Sequence, residues 1–170
     1  MKIIIIGYSR HGKDETAIIL AERYGLKYEN NSIIIAKKLI IPNSIHYKGG
    51  LAKTSPLECY KERWTMREEW LQIINKYIEN DITGLTEEIL KKSDFRVGIR
   101  KRKEFNAVKK MVDVVVWVDR PGYQHELDCE LNEGDADIIL TNNGTLDKLK
   151  NEIKKLDYVF INSKKYIETD

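Results

Sequence analysis

Cysteine, histidine and proline are all scarce in this chain, with 2, 3 and 3 residues. Cys59 and Cys129 stand too far apart for a disulfide framework or a cysteine zinc site, so reduced thiols and a cytosolic setting are expected. His11, His46 and His125 lack metal-ligand spacing, which argues against zinc. Low-complexity tracts are missing too, and hydrophobic residues make up 42%, so disorder is not expected outside the ends. Nor is there an excess of one charge. The 29 basic and 27 acidic residues leave a formal net charge of +2, and no bulk field draws the chain to nucleic acid. The opening apolar run, Ile3 to Ile6, is shorter than the core of a signal peptide, and no stretch reaches the length of a membrane span. A protein neither secreted nor membrane-spanning is expected. Its 170 residues suffice for a single domain over 1–170.

What is present is an alternation of strand and helix signals. Lys2 to Ile6 reads as a strand covered on both faces, because Ile3 to Ile6 is unbroken β-branched residues. A helix follows from about Lys13 to Tyr24, with Ala17, Ile18, Leu20 and Ala21 at helical spacing and Gly25 as its stop. Ser32 to Ile41 fits either a strand or a short buried helix, closed by Pro42. A loop with Lys48, Gly49 and Gly50 precedes a long helical region, about Leu57 to Glu79, carrying Trp64, Trp70, Ile73, Ile74 and Tyr77. A threonine-capped helix is predicted from about Thr86 to Lys92, with Glu88 near the cap. Then come a strand over Phe95–Ile99, a helix over Arg102–Lys110, and strands over Val112–Val118 and Ala136–Leu140. The last helix is capped by Thr145 and carries Leu146, Leu149 and Ile153 on one face. This order predicts an α/β sandwich with a mainly parallel sheet.

The chemistry concentrates where the first strand meets the first helix. Gly7-Tyr8-Ser9-Arg10-His11-Gly12-Lys13-Asp14 has the glycine, four-residue spacer, glycine and lysine of a phosphate-binding loop. Such a turn aims several backbone N–H groups into one concavity, where the helix dipole adds positive potential. Gly7, Arg10, His11, Gly12, Lys13, Asp14 and Glu15 are therefore the candidates for holding ATP, with Lys13 reaching the β- and γ-phosphates. Asp14 stands where most such loops place a serine or threonine on Mg²⁺. It is a metal ligand, a general base toward a hydroxyl acceptor, or a helix-start carboxylate. Thr16, the nearest hydroxyl, lies two residues too late.

With this loop, Val97-Gly98-Ile99-Arg100 with Glu104, Trp117-Val118-Asp119-Arg120-Pro121-Gly122 and Ile139-Leu140-Thr141-Asn142-Asn143-Gly144-Thr145-Leu146, most of the chain resembles the bacteriophage deoxynucleoside monophosphate kinases. The resemblance implies a three-layer P-loop fold of the nucleoside monophosphate kinase type, ATP and Mg²⁺ as cofactors, and transfer of the γ-phosphate to a dNMP. The chain is similar as well to phage kinases that phosphorylate 5-hydroxymethyluracil within DNA, preparing thymidine hypermodification. The glycine at Gly98 counts for that second group, since the monophosphate kinases more often have an aspartate there; Glu15 replaces a threonine frequent in both. A non-catalytic nucleotide-binding protein is the third alternative.

Other candidates follow from position and from the resemblance. Arg100 and Arg120 lie at predicted carboxyl ends of strands, where open parallel sheets bind ligands. The resemblance gives Arg100 a phosphate contact and likens the irregular stretch of about 120–134 to a shortened lid. There Arg120 acts as an arginine finger in cis and Asp119 holds water on Mg²⁺. The simpler alternative for this pair is an ordinary turn. Lys101, Arg102 and Lys103 continue a basic run with which Glu104 can pair. By resemblance alone, Asn142 and Asn143 meet the adenine. Ser32, Arg63, Arg67 and Arg100 are the candidate acceptor residues, toward a nucleotide phosphate or a DNA backbone, while Trp70 reads as core. A second copy of the chain is a candidate partner, and the segment from Tyr158 to Asp170 carries no clear signal.

Overall fold

Four consecutive isoleucines at zero exposure form the first strand, a burial possible only inside a sheet covered on both faces. The computed structural model describes residues 1–49, 55–123 and 128–160. In chain order the elements are β1 (Ile3–Ile6), α1 (Lys13–Tyr24), α2 (Asn31–Ile35), a π-helical turn (Ala36–Ile40), α3 (Ile41–Asn43), α4 (Ile45–Gly49), α5 (Pro56–Glu62), α6 (Arg67–Asn80) and α7 (Gly84–Lys92). They continue with β2 (Phe95–Val97), α8 (Arg102–Val108), a 3₁₀ turn (Lys109–Met111), β3 (Val114–Asp119), a second 3₁₀ turn (Glu133–Asp135), β4 (Ile138–Thr141) and α9 (Leu146–Lys154). Two compact units result: one joins Met1–Tyr28 to the chain from Asp94 onward, and the other is Glu29–Ser93. No described helix is long and apolar enough to cross a membrane.

The first unit is α/β. Its sheet has four strands, all parallel, in the order β2-β1-β3-β4. Ile3 lies opposite Phe95 and Val114, and Trp117 is paired with both Ile6 and Ile139. Side chains alternate across β1. Ile3 and Ile5 join Ala17, Leu20 and Tyr24 of α1 and Leu149 and Ile153 of α9 in one core. Ile4 and Ile6 join Phe105 and Val108 of α8 in another. Each isoleucine so buried contributes roughly 1.5–3 kcal/mol of transfer free energy. Because the strands are parallel, their carboxyl ends open onto one edge at Gly7, Gly98, Arg120 and Asn142.

Elements of this unit differ in detail from the sequence expectation. In α1 the buried stripe is Thr16, Ala17, Ile19, Leu20, Ala21 and Tyr24, so Ile19 takes the place expected of Ile18. β2 stops at Val97, because Gly98 turns left-handed at φ 86° and carries Ile99 and Arg100 off the strand. Leu146 is exposed while Leu149 and Ile153 hold α9 to the core. Glu104 does not pair with the adjacent basic run. Its Oε1 accepts from Arg96 Nη2 at 2.7 Å, and both side chains are almost fully buried. At the end of α1, Arg23 Nε and the Tyr24 hydroxyl both donate to Asp157 Oδ1, at 2.7 and 2.8 Å. Burial, then Asp157, pushes the Tyr24 hydroxyl up to about 12. Residues 161–170, with Lys164 and Lys165, lie outside the described residues.

Among its described residues the second unit forms helices joined by turns, with no strand. The open question at Ser32–Ile41 is settled as helix: Asn30 Oδ1 accepts from the backbone N–H of Ser32 and Ile33 at 2.9 and 3.3 Å, starting α2. Pro42 lies in α3, which continues directly from the π-helical turn, and so does not close the segment. Lys48 and Gly49 belong to α4, not to a loop, and Gly50 lies outside the described residues. The long predicted helix is two helices, α5 and α6, parted by turns over 63–66. At α7 the cap position is a threonine, Thr83, but its hydroxyl donates to Glu87 Oε1 at 2.9 Å and accepts from no backbone N–H. Asp81 Oδ1 accepts from the Gly84 N–H at 2.9 Å, and Thr86 is buried inside the helix. The core gathers Ile34, Leu39, Ile40, Tyr47, Trp70 and Ile89.

The Arg96–Glu104 pair generates a test. Glu104→Ala leaves a buried guanidinium without its carboxylate, a loss of about 3–5 kcal/mol in unfolding free energy. Replacing both residues by apolar side chains of similar volume should recover most of it. Urea denaturation of the two variants measures the difference.

Candidate functional site

At the carboxyl end of β1 the chain must turn without room for a side chain. Gly7 has φ 140°, and a Cβ placed there would lie 2.4 Å from the carbonyl oxygen of Val118 in β3. Arg10 follows at φ 63°, the only non-glycine among the described residues in the left-handed region. Gly12, at φ 90°, is the N-cap of α1 and offers no side chain to the first-turn N–H groups. The loop is thus wound around its own interior, with the amino end of a 12-residue helix facing it.

Lys13 arcs back over that interior. Its Nζ donates to the carbonyl oxygens of Gly7 at 2.8 Å and Tyr8 at 2.6 Å. Asp14 Oδ1 accepts from the Tyr28 hydroxyl at 3.1 Å, a partner outside every motif in the sequence. Thr16 is fully buried, with Oγ1 donating to Gly12 O at 3.0 Å, so its hydroxyl serves the loop backbone. Arg10 and Glu15 are exposed.

His11 turns inward. It is 1% exposed, its Nδ1 accepts from the backbone N–H of Arg120 at 3.0 Å, and Asp119 Oδ1 lies 3.8 Å from the same nitrogen. Acceptance at Nδ1 assigns the ring proton to Nε2. The rings of Tyr8 and Tyr123 approach the imidazole edgewise, at 5.4 and 6.4 Å. Burial, then nearby Cys129, Asp119 and Glu133, raises the Tyr8 hydroxyl above its ordinary value. Asn142, expected near adenine, is buried and donates from Nδ2 to the His11 carbonyl at 3.0 Å, while its backbone N–H reaches Asp119 O at 2.7 Å. Its amide therefore holds the loop, and Asn143 is the exposed member of the pair.

Arg120 stands over the loop. Its Nη1 donates to Arg10 O at 3.3 Å, and its Cζ lies 4.0 Å from the centroid of the Tyr123 ring. The carboxylate of Asp119 is about one-third exposed beside it. Residues 124–127 of the lid-like stretch, His125 among them, lie outside the described residues. Its later part is tied to the basic run. Arg100 Nη1 is 3.8 Å from Asp128 Oδ2, Lys101 Nζ donates to Glu130 at 2.9 Å, and Arg102 pairs with Asp135. The Lys101 contact holds the Glu130 carboxyl below its ordinary value. At Asp135, burial acts upward, but Arg102 and the Asn132 N–H outweigh it and the net direction is down.

The acceptor candidates Ser32, Arg63 and Arg67 belong to the helical unit. Ser32 and Arg63 meet: Arg63 Nη1 donates to Ser32 Oγ at 2.9 Å. The Arg63 guanidinium lies 4.2 Å from the Tyr60 ring centroid and 4.9 Å from that of Trp64, and Arg67 lies 5.9 Å from Trp64. Trp70 is buried, in keeping with its reading as core. Sequence reasoning missed Tyr28, Tyr123 and Tyr60, which touch the charged candidates from outside any motif.

The two loop glycines should differ on substitution. Gly7→Ala drives a methyl into backbone and should unfold more than 5 °C below the parent, from strain of about 1–3 kcal/mol plus the clash. Gly12→Ala meets only the end of the Asn142 side chain, at 2.3 Å, and should cost less by calorimetry. No protein-family model matches this chain, and no curated protein matches it either.

Proposed function

We propose that the chain is a P-loop phosphotransferase of the nucleoside monophosphate kinase type, moving the γ-phosphate of ATP to a deoxynucleoside monophosphate. The observation that carries this is the loop of Gly7 to Lys13: a cradle only glycine can line at Gly7, at the carboxyl edge of a parallel sheet, with a lysine folded across it. The Lys13 ammonium, bonded to two loop carbonyls, supports the reading, because a phosphate in the loop would compete for it as a stronger acceptor. Bound ATP with Mg²⁺ supplies the transferable phosphoryl group and a cation that offsets its charge.

The residues then divide the work. Gly7 to Gly12 bind the triphosphate through backbone N–H groups. Lys13 exchanges its carbonyl contacts for phosphate oxygens, replacing hydrogen bonds of about 1.5–3 kcal/mol each with others at least as strong. Asp14 and Asp119 offer hard oxygen donors, and the described residues form no cluster of three or more His, Cys, Asp or Glu able to hold a metal. That donor set suits Mg²⁺, which takes one or two carboxylates and completes its shell with water and phosphate. Arg120, steadied by Arg10 and Tyr123, and Arg100 neutralise charge on the moving phosphoryl group.

Gly98 favours a second acceptor, the hydroxymethyl group of 5-hydroxymethyluracil in DNA. At φ 86° it ends β2 without a carboxylate, the departure that sets the chain apart from most monophosphate kinases. A hydroxymethyl acceptor must lose a proton, and Asp14, oriented by Tyr28, is the carboxylate to take it.

Lys13→Ala should lower turnover at least about 100-fold with an unchanged circular dichroism spectrum. Retained transfer would overturn the assignment. An assay of ATP consumption with a panel of dNMPs beside DNA containing 5-hydroxymethyluracil separates the acceptors. Turnover with dNMPs alone is expected, whereas turnover with the DNA alone selects the second acceptor, and nucleotide binding without either selects a non-catalytic protein.

A further inference from the structure

β4 is an edge strand: it pairs with β3 alone, and no further strand among the described residues lies beyond it. The opposite edge is closed, since β2 is buried along all three of its residues. On β4, by contrast, Ile139 is 53% exposed. Which backbone groups point outward follows from one bond. The Asn142 N–H donates to Asp119 O at 2.7 Å while Asp119 lies opposite Thr141, so in a parallel ladder Ile138 and Leu140 turn to β3 and Ile139 and Thr141 turn away. Natural sheet edges are blunted by lysine, proline or a bulge. Ile138-Ile139-Leu140-Thr141 carries no charge, proline or glycine, and the Asp137 carboxylate at its start is engaged on β3, accepting from the Val115 N–H at 2.8 Å.

We infer that β4 is a docking edge for a second copy of the chain, the two strands running antiparallel about a two-fold axis at Ile139. That axis makes the edge complementary to itself. Ile139 stands opposite the Ile139 of the copy, where the outward N–H and carbonyl of each meet those of the other, and the two exposed β-branched side chains cover one another. Thr141 stands opposite Asp137, so carboxylate never faces carboxylate. Parallel pairing in register would set Asp137 against Asp137, like charge on like charge. The two four-stranded sheets join into one, and the buried β2 edges end the assembly at two copies. Because the paired strands run opposite ways, the carboxyl edges of the two sheets point in opposite directions and neither loop after β1 is covered by the pairing. The inference therefore does not rest on the phosphotransfer assignment. Four residues of edge bury less than a standard interface, which sets a weak dimer with a dissociation constant of about 10–100 μM.

The test is sedimentation equilibrium of the full chain from about 1 to 500 μM, over which the mass should rise from 19.9 kDa toward twice that value. Ile139→Lys sets two cations face to face at an exposed position; it should raise the dissociation constant about tenfold or more with an unchanged circular dichroism spectrum, while Ile139→Val should keep it within about threefold. Amide hydrogen exchange locates the face. The Ile139 and Thr141 amides should slow only at the higher concentration, whereas Leu140, turned to β3, should be slow at both. A mass that stays at one chain throughout leaves the edge to a different partner and overturns the inference. So does a dimer indifferent to Ile139→Lys, which uses another face, and so does growth beyond two copies, which breaks the two-fold. Ile139 and Thr141 amides already slow in the monomer would show the edge covered within the chain, and would overturn it as well.

Discussion

The approach of Gly7 to the Val118 carbonyl, with 2.4 Å left where a Cβ would stand, sets the geometry on which the candidate site depends. β1 and β3 are neighbours in the sheet, and their paired register ends at Ile6 and Trp117. One residue later the two backbones nearly touch, so the chain leaving β1 must turn at once. The turn continues through Arg10 and Gly12 and delivers the amino end of α1 to the space above the sheet. A side chain at Gly7 would push β1 and β3 apart at the edge where Asp119 and Arg120 emerge.

Once turned, the loop is held by hydrogen bonds to the ends of the neighbouring strands. The His11 imidazole takes the Arg120 N–H, the Asn142 amide takes the His11 carbonyl, and the Asn142 N–H returns to Asp119. These bonds tie the ends of β3 and β4 to the loop after β1. Two residues expected from the sequence to hold ATP, His11 and Asn142, are thus bonded to one another. Lys13 also closes onto the loop, through the carbonyls of Gly7 and Tyr8.

The helical unit is organised differently. Its charged candidates are steadied by aromatic rings and one serine rather than by backbone turns. Ser32 and Arg63 are 31 residues apart and become partners only because α2 and α5 pack together. No proline- or glycine-rich linker marks the joins at Tyr28–Glu29 and Ser93–Asp94, so the division into two units has no compositional trace.

Local chemistry was legible in the order of residues. The β-branched run of Ile3 to Ile6, the glycines at 7 and 12, the stop at Gly25 and the cap at Thr145 act over a few residues. The α/β class and the place of the loop between β1 and α1 follow from them. Contacts at long separation were not legible. Glu104 chose Arg96 over its basic neighbours, Tyr28 met Asp14, and His11 turned inward to Arg120, each because packing removed the nearer or wetter alternative. The break at Arg63 to Met66 belongs with these, since a helical pattern runs through it unbroken and only the fold brings Trp64 to the surface while burying Trp70. Periodicity records which residues prefer the interior; it does not record which partner waits there, because that partner comes from another part of the chain.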